Sequence, residues 1–161
     1  MTKNSRTLAA LVALAIGAAA APAGALFADA STKDLMKARH DHYHKLGDAF
    51  KKVRDEVRAS QPDMAGVKHA AQFINDASVN QGKWFPVGTG PDAGKTRALA
   101  EIWSKPKEFE AAQKVFGDAA PKLLAAANAN DVGAVKMQFG EVGKACKNCH
   151  DTFRAPEDHD H

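Results

Sequence analysis

Cys146-Lys147-Asn148-Cys149-His150 gathers the only two cysteines of the chain and a histidine into five residues near its C-terminus. Residues three apart share one face of a helix, so both sulfurs can reach along one edge of a flat ligand while the next side chain offers an imidazole nitrogen. C-x-x-C-H is the pattern of covalent haem attachment: Cys146 and Cys149 form thioethers, and His150 supplies an axial ligand to the iron. The cofactor expected is one covalent haem c with its iron. Two other chemistries use paired thiols. A thiol–disulfide redox pair normally opens a helix in a βαβ setting, whereas this motif closes a helical chain. A structural zinc site needs four ligands, and no further cysteine exists to supply them. Spacing and context favour haem.

The chain that must position this motif has 161 residues with 45% hydrophobic and 25% charged side chains, enough for one small domain. Alanine-rich stretches dominate, and aromatics are few at 8 Phe, 2 Trp and 1 Tyr, which suits close-packed helices better than a sheet. The net charge of +3 is scattered, without a Lys or Arg run to track phosphates, so nucleic acid is not an expected partner.

Lys3 and Arg6 precede an uncharged apolar run from Leu8 to Ala21, and small residues follow. These are the three parts of a secretory signal, too short to be read first as a membrane span. Ala28-Asp29-Ala30 offers cleavage before Ser31, with Ala23-Gly24-Ala25 as a second candidate. The expected organisation is a cleaved signal over 1–30, a helical domain over 31–155 and a flexible tail over 156–161. No other segment is apolar enough to span a bilayer, so the processed protein is expected to be exported, periplasmic and without a membrane span.

Apolar periodicity divides the domain into four helices. Met36, Arg39, Tyr43, Leu46, Phe50, Val53 and Val57 recur in steps of three and four, the seam of a helix packed in a bundle. After Gln61-Pro62-Asp63, the series Met64, Val67, Ala71, Ile74 and Ser78 marks a second helix from about Asp63 to Asn80. Gly82 to Gly94 is a long connection by bundle standards, and Lys95 to Trp103 can make a short helical turn. Ser104 with Pro106 predicts the cap and first turn of a third helix through Phe109, Phe116, Leu123 and Leu124, kinked at Pro121. Asp131 caps a fourth, whose inward series is Val135, Phe139, Val142, Cys146, Cys149 and Phe153. The fold class expected is all-α, an up-down-up-down antiparallel four-helix bundle.

From Lys33 to Ala155 the chain resembles the class II c-type cytochromes that include cytochrome c′. The resemblance is carried by Lys37-Ala38-Arg39, Gly47, Trp84-Phe85-Pro86-Val87-Gly88, Ala100-Glu101-Ile102-Trp103 and, most specifically, Cys146 to Arg154. Proteins of that family are four-helix bundles with C-x-x-C-H near the C-terminus. The resemblance implies that Arg39, whose charge on a buried seam calls for an anion, meets a haem propionate; the alternative is an arginine snorkelling to solvent. It places Arg154, one turn beyond His150, beside the proximal ligand, the alternative being a solvated cation at a helix end. It maps Tyr43 onto the distal pocket. Family members with Met there are six-coordinate electron carriers, and those with Leu, Phe or Tyr leave the iron five-coordinate and open to small gases. A neutral phenol is a poor iron ligand at pH 7. His40 and His42 flank the seam and Met36 lies two turns from Tyr43, so each is an alternative sixth ligand.

The function expected is that of a periplasmic cytochrome with a five-coordinate iron, carrying single electrons to and from redox partner proteins. Binding or buffering of a small gas, nitric oxide or carbon monoxide, is the alternative. An enzyme is not expected, since no convincing distal acid–base pair stands out beyond His40 or His42 with Asp41. Family members commonly form antiparallel homodimers through the first two helices, an assembly the resemblance makes available here.

Overall fold

The structure, a computed structural model, describes residues 31–156; the expected signal and the tail from Glu157 lie outside the described residues. Four long helices form the domain: α1 (Thr32–Glu56), α2 (Met64–Asn80), α4 (Pro106–Asn128) and α5 (Val132–Phe153). A single turn, α3 (Glu101–Ser104), precedes α4, and two 3₁₀ turns, Gln81–Trp84 and Pro91–Ala93, lie in the connection after α2. The all-α bundle is as expected.

Local chemistry sets the helix boundaries. Ser31 accepts from the Asp34 amide, Asp63 from Gly66 and Asp131 from Ala134, so three of the long helices carry side-chain N-caps. The fourth does not. Lys105, not Ser104, occupies the N-cap position of α4 without a side-chain bond, and Pro106 at the first helical position leaves one fewer amide to satisfy. The expected turn over 95–103 is shorter and later, at 101–104. Helix α4 continues through Pro121. At its C-terminus Asn130 adopts a left-handed φ of 53°, and the amides of Asn130 and Asp131 return to the carbonyls of Ala127 and Ala126. That Schellman closure turns the chain into α5 within three residues.

The seams read from the sequence are buried: Leu46 and Val53 on α1, Val67, Ala71 and Ile74 on α2, Phe116 and Leu123 on α4, Val135 and Val142 on α5. Alanines 112, 119, 120, 126 and 127 face inward on α4, and their small side chains let it lie close to α2 and α5. A second cluster, Ile102, Phe109, Ala112 and Phe153, gathers beneath the long connection. Helix α1 packs on α2, α2 on α4 and α4 on α5, whereas the backbones of α1 and α5 stay further apart. Side chains bridge that wider seam, among them Tyr43 and Phe50 of α1 and Phe139 and Cys146 of α5.

Candidate haem site

Aromatic side chains fill one end of the seam between α1 and α5. Phe50 of α1 stacks on Phe139 of α5 with ring centroids 4.2 Å apart, and a Cβ at Gly143 would stand 3.5 Å from Phe50. Two turns back along α1, Tyr43 lies close enough to Cys146 and Cys149 of α5 for them to act on its phenol.

Cys146 and Cys149 are half-buried and not bonded to each other. Burial raises both thiols above the ordinary range, and Cys149, which also feels Cys146, is pushed up to about 11. Such thiols stay protonated at neutral pH, the opposite of the low-pKa nucleophile of a redox C-x-x-C at a helix N-terminus. His150 is exposed beside them; partial burial first, then the Arg154 and Arg97 charges, hold its imidazole below its usual pKa and therefore neutral, the form that ligates iron. Two free thiols one turn apart, a neutral imidazole at the next position and aromatic rings around Tyr43 and Phe153 fit a haem c.

Arg39 is 5% exposed. Nη1 donates to Thr89 Oγ1 at 2.9 Å and to the Trp84 carbonyl at 3.5 Å; Nη2 donates to the Thr89 carbonyl at 2.8 Å and to Thr96 Oγ1 at 3.2 Å. The guanidinium also lies 5.0 Å from the Phe85 centroid and 5.8 Å from that of Trp103. It does not snorkel to solvent; it straps the long connection to α1. Among the described residues its hydrogen-bond acceptors are all uncharged, and burial pulls its pKa below the ordinary value. Thr89 is itself held in a turn by the Pro86 carbonyl, with Gly88 at a φ of +83° that a side chain would resist.

Tyr43 packs edge-on to Trp84 at 5.1 Å and at a tilt to Phe85 at 6.0 Å, and its hydroxyl donates to Gln81 Oε1 at 3.5 Å. Burial, with the nearby Cys149 and Cys146, raises its pKa well above that of a free phenol. The other candidates for a distal ligand are engaged elsewhere. His42 stacks on Trp84 at 4.6 Å; His40 is exposed, against His44 and Asp41; Met36 borders the connection at Gly94.

Helix α5 ends at Phe153, and Arg154 is its extended C-cap, its amide still bonded to the His150 carbonyl one turn back and its backbone bridged to Ala98. It lies close enough to depress the His150 pKa. Arg97, absent from the sequence reading, lies beside it and donates to the Ala155 carbonyl at 2.8 Å. Gln81, Thr89 and Thr96 were also missed, lying in a connection without periodic signal. Trp103 in Ala100-Glu101-Ile102-Trp103 was visible only through the resemblance.

A four-helix bundle with C-x-x-C-H near the end of its last helix defines a bundle-type c cytochrome. The Cytochrome C′ family profile matches residues 34–154, and the chain belongs to that family. It is 43% identical over 125 residues to the cytochrome c′ of Rubrivivax gelatinosus, covering 75% of this chain and 94% of that one. Among solved structures, a cytochrome c′ described by an unusual ligand-controlled dimer dissociation superposes with a TM-score of 0.74 at 28% identity, covering 80% of this chain and all of the other. A nitric oxide complex of a variant of cytochrome c prime from Alcaligenes xylosoxidans gives 0.71 at 31% identity, covering 80% and 99%. The cofactor is haem c with its iron.

Proposed function

We propose that this chain is an exported haem c protein whose iron keeps an open sixth position for a diatomic gas, nitric oxide in the first place. Haem, when bound, supplies a reversible one-electron centre and an axial site for such a ligand. The observation that carries the reading is the fate of the four side chains able to fill that site: Tyr43 is held by Gln81 and Trp84, His42 by Trp84, His40 on the outer face, and Met36 at the connection. None offers a strong ligand to the seam. The nitric oxide complex of the Alcaligenes protein supports the choice of gas.

In this reading Cys146 and Cys149 hold the macrocycle, His150 is the axial ligand, Arg154 flanks it, and Tyr43 shapes the distal face. Arg39, a buried cation among uncharged acceptors, gains a counter-ion from a propionate. Export rests on the N-terminal pattern of residues 1–30 and on the compartment in which such haem is attached. Among the described residues no helix is long and apolar enough to cross a membrane.

Single-electron exchange with a redox partner is the second reading. It is favoured by the exposure of Lys147, Asn148 and His150, which brings the motif to the surface where weak, transient docking can occur. A carrier rather than an enzyme is inferred, because Asp41, the one acid near His40 and His42, pairs with Lys37 on the outer face. Leu35 on α1 and Val79 on α2 expose apolar surface where a homodimer through these helices would form.

The test is the optical spectrum of haem-loaded protein, oxidised and reduced, before and after carbon monoxide. A high-spin reduced spectrum that shifts with carbon monoxide is expected. Low-spin bands indifferent to the gas would overturn the open-site reading and leave electron transfer.

A further inference from the structure

His40 and His44 stand one turn apart on the outer face of α1, with ring centroids 4.4 Å apart and planes inclined at 55°. Both are exposed, His40 to 69% of its side chain. Two imidazoles each bound at about 2.0–2.1 Å to one divalent ion at roughly a right angle would place their ring centroids about 4.5 Å apart. The observed centroid spacing is the one such a chelate needs. Asp41 Oδ1 lies 3.5 Å from His40 Nδ1 and Asp48 follows one further turn along, so the pair sits beside negative charge, and Lys37 on this helix is already paired with Asp41.

We propose that His40 and His44 form a bidentate site for a divalent transition cation, separate from the haem site. Imidazole ligation and the Irving–Williams order make copper(II) the ion of choice over nickel(II) and zinc(II). Among the described residues no group of three or more His, Cys, Asp or Glu side chains converges, so water completes the coordination and the site is open. His42, between the two in sequence, is turned onto Trp84 and takes no part.

The experiment is calorimetric titration of the full, haem-loaded chain with copper(II) ions alone, repeated on four variants. His40→Ala and His44→Ala should each weaken binding at least tenfold, and by similar factors, because either change destroys the same chelate. His42→Ala should leave it unchanged, as should the double change His159→Ala with His161→Ala in the tail. Binding that survives both helix substitutions, or that is lost with the tail histidines, would overturn the site. His40→Ala and His44→Ala alter exposed positions, so the unchanged helical circular dichroism expected of each would separate loss of a ligand from loss of the fold.

Discussion

Arg39 grips Thr89 twice, Nη1 on the side-chain oxygen at 2.9 Å and Nη2 on the carbonyl at 2.8 Å, across fifty positions of sequence. One guanidinium thereby decides where the connection between α2 and α4 lies. Only a planar fork of donors can satisfy both oxygens and Thr96 together, and its faces also meet Phe85 and Trp103.

Arg39→Met should therefore leave the Thr89 carbonyl and hydroxyl short of donors and destabilise the protein by about 1–3 kcal/mol, measured by chemical denaturation. Arg39→Lys should recover little, since a single ammonium cannot replace the fork. Hydrogen exchange should show the loss first in residues 84–98. Equal protection there in both variants and the parent would show that the strap is not what orders this segment.

The distal face gives a spectroscopic prediction. Tyr43→Met places a thioether at the position that Gln81 and Trp84 now hold as a phenol. The iron should shift towards a low-spin form with reduced carbon monoxide uptake, whereas a spectrum identical to the parent would show that Tyr43 does not line the distal face. Gln81→Leu should keep the gas-binding spectrum but move the carbon monoxide stretching frequency, because the Tyr43 hydroxyl loses its acceptor.

Replacing Cys146 and Cys149 together with Ala should abolish haem that survives denaturing extraction, and each single change should leave one thioether. Retained covalent haem in the double variant would sink the attachment assignment. In chain produced without haem, alkylation of Cys149 should be slow at pH 7 and rise towards a midpoint near 11, the value to which burial raises that thiol.

A pH dependence follows from the turn between α1 and α2. Glu56 takes a hydrogen bond from Lys52 Nζ at 2.7 Å and another from the Asp63 amide at 2.7 Å, and these hold its pKa below the ordinary carboxyl value. A depressed folded-state pKa contributes stability above the unfolded value near 4.5, and this is lost as pH falls through the folded value. Glu56→Gln should lower the melting temperature by about 1–3 °C at neutral pH, and the difference from the parent should shrink as acid takes the pH from the unfolded value through the lower folded one. A gap that persists at pH 3 would point to packing rather than charge.

Much of this molecule is local and so was legible in its residues. The seams of α1, α2, α4 and α5 repeat every three or four positions, because burying one stripe of a helix demands it, and the Asp131 cap sits within three residues of the amide it satisfies. C-x-x-C-H likewise encodes its chemistry in spacing alone. The gap between α1 and α5 was not legible: it depends on how three other interfaces pack, to which no single helix pattern refers. Nor were the partners of Arg39, the hold of Gln81 on Tyr43, or the exit of Arg154 from the helix onto Ala98. Those contacts join residues about forty to sixty positions apart through a connection without periodicity, and only the closed tertiary structure brings them within reach. The residues of the motif thus determined which cofactor this protein carries, while the packing of its long connection decided what surrounds it.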